Sequence, residues 1–376
     1  MDFACSSQQI DLQHSVLEAV GQLDSQALSE PPGTHEILTA LGKNGAFRPW
    51  TDTNGMPDFL SASLIQEALA ERSAAASSIY FVNSAAIAML KRGGTASGDI
   101  SLVERAVLGE LAFCFALTEP QAGSDAAAIS TTATSTDDGF VINGRKSYAT
   151  GAGDADFILT VVRSSPDAPA KNGAAVLLVP GNAPGLTKNK LDKIAGNEHA
   201  SYELVFDNVH VESGNLVGQL NRAWPLLFFG GLVERSLVAA SAVGASARAF
   251  DLTLQYLEQR TQFGRAITEF QAVSHKLADI RTRIEAMRWL SRYAAWQAQH
   301  GSDGPSSVNM AKLFTSETGT ELVSECARLV GGKGYLRDNP IRQAALQIGL
   351  TLYAGGSSEI LKNGIMRAVT RAGIAS

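Results

Sequence analysis

Between about residues 115 and 221 the hydrophobic pattern of this chain changes period, and that change is what most limits its fold. Before it, apolar residues recur at three- and four-residue steps, as in Ile10, Leu12, Val16, Val20 and Leu23. Pro31-Pro32-Gly33 ends that helix, residues 51–57 form a turn-rich gap, and helical patterning resumes over Phe59–Arg72 and 74–90. Inside the window, Asp138-Gly139 and Asn143-Gly144 are hairpin turn signals flanking Phe140, Val141 and Ile142. Residues 157–162 and 174–179 are apolar runs of strand length, and 204–211 alternate around Asn208. After it, Phe270, Val273, Leu277, Ile280, Ile284 and Met287 follow the steps 3, 4, 3, 4, 3 of a bundle seam. Helices are also expected over 310–329, 341–353 and 358–371, with breaks at 301–305, Gly331-Gly332 and Gly355-Gly356. The expected class is α+β: an N-terminal helical domain (1–112), a middle antiparallel β-domain built as a small barrel or sandwich (113–222), and a C-terminal helical bundle (223–376).

Composition removes several classes of function. The net charge is −6 with no polybasic run, which argues against nucleic acid and anionic membranes as partners. Cys5, Cys114 and Cys326 are odd in number and far apart, so a disulfide framework is not expected and a reducing, cytoplasmic setting is. The six histidines are scattered and no CxxC occurs, so no metal site is proposed. MDFACSSQQIDLQ carries an acid and no basic n-region, unlike a signal peptide. Residues 73–90, interrupted by serines and Asn83, read as a buried helix rather than a membrane span. Low charged content, 18%, hints at an oligomer.

Four stretches could carry chemistry. Residues 115–125, FALTEPQAGSD, join a helical segment to the strands and mix Thr118, Glu119, Ser124 and Asp125 with a proline and a glycine. Backbone N–H groups and hydroxyls in such a bend can hold a phosphate-bearing ligand, though the same residues suit an ordinary connecting loop. Glu234 precedes Arg235 at the entrance to the uncharged helix over 236–247. A carboxylate among Phe228, Phe229, Leu232, Val233, Leu237 and Val238 loses hydration and becomes a stronger base, unless it is a structural ion pair. Tyr148 and Thr150 place an aromatic face and a hydroxyl at a strand end, suited to a flat ring cofactor or to nothing at all. RTQFG at 260–264, with Phe270 and Gln271, sets a guanidinium and amide donors at a helix–loop–helix corner that could clamp phosphates. Gly331-Gly332 and Gly355-Gly356 allow close approach to a ligand or cap helices, and neither matches the dinucleotide fingerprint G-x-G-x-x-G.

Together these pieces resemble the acyl-CoA dehydrogenase family. FALTEPQAGSD looks like its first signature, GRKSYATGAGDADF its flavin strand and LVFDNVHV its closing β-domain strands. ERSLVAA, QRTQFGRAITEFQAVSHKLADI and LVGGKGYLRDNP resemble its C-terminal bundle, in the same order. The resemblance implies FAD held between β-domain and bundle, and a homotetramer or homodimer. It implies that Phe115, Leu117, Thr118, Gly123 and Ser124 line the flavin, with Tyr148 beside the ring and Thr150 near N5. Arg260, Gln262, Phe263, Gln271, Gly331 and Gly332 match positions that hold the ADP part, typically of a neighbouring subunit's FAD, Arg328 is a further cofactor-binding candidate, Ser357 and Glu359 follow the Gly-rich turn near the cofactor, and Ser124, Arg235 and Gly356 reach substrate.

Many members carry the catalytic glutamate where Gly355 stands here. The isovaleryl and long-chain branches, and the prolyl-carrier-protein oxidases, carry it on the earlier bundle helix directly before an arginine, as Glu234 precedes Arg235. The reaction so implied is α,β-dehydrogenation of an acyl thioester, with Glu234 as the α-proton base, FAD as hydride acceptor, and an electron-transfer flavoprotein or O₂ as acceptor. Leu346-Gln347 replaces the usual arginine–aspartate pair, which points to a specialised thioester on coenzyme A or on an acyl carrier protein in secondary metabolism. An oxidase or N-monooxygenase on the same scaffold is the alternative.

Overall fold

The computed structural model describes residues 6–26, 32–51, 56–165, 167–301 and 304–374. Cys5, Pro31 and most of the gap at 51–57 lie outside the described residues, as do two positions of the break at 301–305. The described residues form two compact units, one of residues 1–57 with 78–234 and one of 58–77 with 235–376.

The first unit opens with α1 (Ser7–Gln26) and α2 (Thr34–Lys43), followed by α3 (Phe59–Arg72), which belongs to the second unit, then α4 (Ala74–Gly93) and α5 (Ile100–Val107). Their starts follow from local chemistry. Glu36 Oε2 accepts from the Gly33 N–H at 2.9 Å ahead of α2, and Asp99 Oδ1 accepts from Ser101 N at 3.0 Å ahead of α5. The sequence reading did not single out α2, whose buried face is Ile37, Leu38 and Leu41.

The strands are β1 (Phe113–Ala116), β2 (Thr132–Ser135), β3 (Gly139–Thr150), β4 (Phe157–Arg163), β5 (Ala174–Pro180), β6 (Leu186–Lys190), β7 (Ser201–Glu212) and β8 (Leu216–Val217). They form one sheet in the order β6-β7-β3-β2-β4-β5-β8, with β1 also on β4. The sheet is antiparallel except at β4, which pairs in parallel with β1 (Phe113 opposite Phe157) and with the first residue of β2. Its buried face gathers Ile142, Ile158, Leu177, Leu204 and Val209. Asp138-Gly139 does turn a hairpin, from β2 into β3. Asn143-Gly144 does not: β3 runs through it, and the register against β7 shifts between Ile142 and Gly144. The glycine (φ 145°) serves a bulge, where a Cβ would come within 2.6 Å of the Thr131 hydroxyl.

The second unit is helical. After α6 (Ala223–Gln259) come a ribbon of β9 (Thr261–Gln262) and β10 (Arg265–Ala266), then α7 (Gln271–His300), α8 (Gly304–Leu329), α9 (Pro340–Gln347) and α10 (Ser358–Ile374). The unit boundaries at 77/78 and 234/235 fall inside α4 and α6. The seam residues Leu277, Ile280, Ile284 and Met287 are buried on α7 beside Val243, Leu322 and Val323. From α3, Glu67 reaches Arg288 of α7 at 2.6 Å. By length and composition α6 could cross a membrane, yet 56% of its most apolar window is buried in the protein.

At Gly244 helices α3 and α6 of this unit approach closely. A Cβ there would lie 2.0 Å from the Glu67 carbonyl oxygen, so no side chain fits without moving backbone. Gly244→Ala is expected to cost about 1–3 kcal/mol. Thermal melts would show it as a lowered Tm, and an unchanged Tm would mean that α3 and α6 can separate freely.

Candidate active site

In the first unit the 115–125 stretch leaves β1 and turns at once. Glu119 N donates to Ala122 O (3.0 Å) and Ala122 N to Glu119 O (3.1 Å). The turn leaves Leu117 and Thr118 half-buried and Gly123 and Ser124 exposed, while Phe115 is half-buried in β1 opposite Leu159. The structure brings Thr118 and Tyr148 together: the intervening Ser147 N–H donates to Thr118 O at 2.8 Å. Tyr148 sits where the β3–β7 register is irregular, with a left-handed φ of 59° and a side chain 71% exposed. An exposed tyrosine held in a conformation that disfavours side chains is the kind of local cost found at ligand sites. Thr150 closes β3, its hydroxyl 2.9 Å from that of Ser201.

Sequence reasoning missed what lies beneath this loop. Glu119 and Lys146 are 1% and 0% exposed and their charges meet at 2.7 Å. Lys146 Nζ also donates to Leu117 O at 3.0 Å. The carboxylate accepts further from Ser130 N (2.7 Å), Ser130 Oγ (2.9 Å), Thr131 N (3.0 Å) and Gln121 Nε2 (2.6 Å). Burial alone would raise the Glu119 carboxyl, but the lysine and these donors hold it down at about 2. Both residues are plain in the sequence, and only their 27-residue separation hides the pair.

Glu234 is half-buried on α6, one residue before Arg235. Arg235, in the second unit, is half-buried too; its Nε donates to Gly355 O at 2.7 Å and its Nη1 to Asn309 Oδ1 at 3.1 Å. The buried Lys312 Nζ donates to Gly356 O at 2.7 Å. Two cations thus hold the carbonyls of a turn whose glycines have φ of 71° and 104°. Ser357 follows, half-buried, and Glu359 is exposed in the first turn of α10, where backbone and Ser357 hydrogen bonds lower its pKa.

The corner at 260–264 is a two-strand ribbon rather than a plain loop. Phe263 and Gly264 form its turn with φ of 52° and 83°, and Phe263 is 95% exposed, edge-on to Phe270 at 6.2 Å. Arg260, Gln262 and Gln271 are exposed beside it in the chain. Arg328, paired with Glu325 at 2.8 Å, lies at the end of α8 just ahead of the exposed Gly331 and Gly332. At Gly123 and Gly332 nothing lies within 4 Å of where a Cβ would be, so the chain's own packing does not call for glycine at either. A flat or phosphate-bearing ligand laid against these backbones would. Among the described residues no group of histidine, cysteine and acid side chains could hold a metal ion.

Comparison with known proteins gives this geometry a context. The family model described as acyl-CoA dehydrogenase, middle domain, matches residues 114–209, and that described as acyl-CoA dehydrogenase, C-terminal domain, matches 232–370. An acyl-CoA dehydrogenase of Bacillus subtilis is 34% identical over 247 residues, 65% of each chain. The benzylmalonyl-CoA dehydrogenase of Aromatoleum aromaticum is 33% identical over 287 residues, 73% of each. Among solved structures, butyryl-CoA dehydrogenase from Megasphaera elsdenii superposes with a TM-score of 0.91 at 26% identity, over 98% of this chain and 100% of its own. PigA with FAD and proline gives 0.87 at 25% identity, over 98% and 99%.

Two measurements test the geometry. The folded Glu119 value lies below the ordinary 4.5, so its contribution to stability is complete above about 4.5 and is lost as pH falls toward 2. Wild type is therefore expected to lose Tm steeply over that range and Glu119→Gln to start lower and lose less; parallel curves would contradict the assignment. Tyr148→Gly should raise the stability of the FAD-free protein by about 1 kcal/mol by relieving the left-handed backbone, and a lower Tm would refute the strain.

Proposed function

The chain belongs to the acyl-CoA dehydrogenase family, FAD-dependent oxidoreductases, and on that premise we propose that it desaturates an acyl thioester between its α- and β-carbons, with Glu234 as the base. The observation that carries the reading is a pair of positions: Gly355 stands where many members place the base, and a half-buried Glu234 precedes Arg235 on α6. A thioester carbonyl acidifies its α-carbon, and a carboxylate shielded from water is basic enough to take that proton. FAD, when bound, supplies the acceptor for the β-hydride. Phe115, Leu117, Thr118, Gly123, Ser124, Tyr148 and Thr150 would border the flavin ring, with Ser124, Arg235 and Gly356 toward substrate. Arg260, Gln262, Phe263, Gln271, Gly331 and Gly332 would hold the ADP end of a neighbouring subunit's FAD, with Arg328 a further cofactor contact and Ser357 and Glu359 near the cofactor. In the first unit the open approach at Gly123 and the exposed Tyr148 suit a flavin ring, and in the second the open approach at Gly332 and the exposed Phe263 suit an ADP moiety.

Arg235 has a part in this scheme through the turn it holds. With its guanidinium on Gly355 O and Lys312 on Gly356 O, the turn's carbonyls are already bonded. A turn held this way would be preorganised, as the stabilisation of a developing enolate oxygen requires. Relatives act on cyclic and aryl-bearing acyl-CoA esters, and PigA has been solved with proline, so the thioester proposed here is a specialised one on coenzyme A or on a carrier protein. The flavin would pass its electrons to a flavoprotein, and the enzyme would work in the cytoplasm as a homo-oligomer.

Glu234→Gln should still take up FAD while anaerobic flavin bleaching by substrate slows about 10³-fold. Bleaching at a near-normal rate would move the base elsewhere. Reoxidation of the bleached enzyme should be slow in O₂ and fast with an electron-transfer flavoprotein; the reverse order would favour an oxidase.

A further inference from the structure

The Lys146–Glu119 pair lies below the candidate flavin loop and takes no part in the proposed chemistry. We infer that Lys146 and Glu119 are positioning residues, whose buried pair fixes Thr118 and Tyr148 in the geometry that receives the flavin before the flavin arrives. The inference rests on the reading that those two residues border the ring.

The geometry is one of bracketing. Lys146 Nζ bonds on both sides of Thr118, to Leu117 O at 3.0 Å and to Glu119 Oε1 at 2.7 Å. The next residue, Ser147, donates its N–H to Thr118 O at 2.8 Å. Three consecutive loop residues are therefore tied to two consecutive residues of β3, and the residue after those is Tyr148. Its φ of 59° is one a tyrosine holds only when its surroundings over-determine it. From the other side, Glu119 binds Ser130 and Thr131 at the far end of the loop, so one carboxylate closes the segment from 119 to 131. A buried ion pair is a poor source of net stability compared with apolar packing. What this one provides is direction: its bonds tie the Leu117 carbonyl and the Glu119 side chain, on either side of Thr118, to the strand that presents Tyr148.

The test compares FAD-free wild type, Lys146→Met and Glu119→Gln. Three quantities are measured: exchange of the Ser147 amide by NMR, FAD affinity by flavin fluorescence quenching, and the visible circular dichroism of bound flavin. If the pair presets the site, Lys146→Met keeps its far-UV spectrum, its Ser147 amide exchanges faster relative to that of Ile142, and FAD binds about tenfold more weakly or worse. The bound-flavin dichroism changes as well. A purely structural pair would lower Tm and leave the affinity of the folded fraction and that dichroism as in wild type, which overturns the inference. Should Lys146→Met not fold, Glu119→Gln, which keeps an acceptor oxygen, is read by the same criteria. Thr118→Val and Tyr148→Ala separate the two claims. If they weaken FAD binding while Lys146→Met and Glu119→Gln do not, only the positioning role fails. If they leave binding unchanged, the flavin-site reading and the inference fail together.

Discussion

A carboxylate with 1% of its side chain exposed has to find every partner inside the protein, and Glu119 does. Satisfying it fixes much else. Lys146 must be drawn in from the neighbouring strand, Ser130 and Thr131 must turn their N–H groups inward, and the loop must close at Ala122. Each of these requirements removes freedom from a segment that would otherwise be a thirteen-residue surface connection between 119 and 131. The sheet supplies the other half of the constraint, because β1 enters the loop from a parallel pairing with β4 while Lys146 arrives on β3. The result is a loop on the surface with a core-like foundation.

The same economy recurs in the second unit, with the signs arranged differently. There the groups to be satisfied are the carbonyls of a glycine turn, and the partners are Arg235 and Lys312. A turn with two left-handed glycines has no side chain of its own to anchor it, so it takes its position from cations on other helices. Placing a glutamate at 355 would ask a side chain to adopt a φ of 71° in that turn. A base on α6, as proposed, would leave the turn to its backbone chemistry.

The α+β class and most helix limits were legible: Phe59–Arg72 folds as a helix over the span expected, though it is buried on every side, and the 3, 4, 3, 4, 3 seam is buried from Leu277 to Met287 as its period requires. Turn chemistry was less transparent. Asn143-Gly144 has the composition of a hairpin turn but meets Thr131 across the sheet and becomes a bulge. The RTQFG corner concealed a two-residue hairpin because Phe263 stands where turns of that kind favour asparagine. Candidate site residues were legible as motifs, one stretch at a time. What holds them was not, since a pairing 27 residues apart leaves no local mark.

If Glu234 is the base, the acid on α6, and no other, faces the α-carbon of a thioester laid against the flavin. The most direct measurement is a crystal structure of the protein loaded with FAD and an unreactive acyl thioester analogue. The expected result is the ring against Thr118, Tyr148 and Thr150, with a Glu234 carboxylate oxygen ~3–3.5 Å from the analogue's C2. A Glu234 turned away from that carbon, or a different carboxylate beside it, would contradict it.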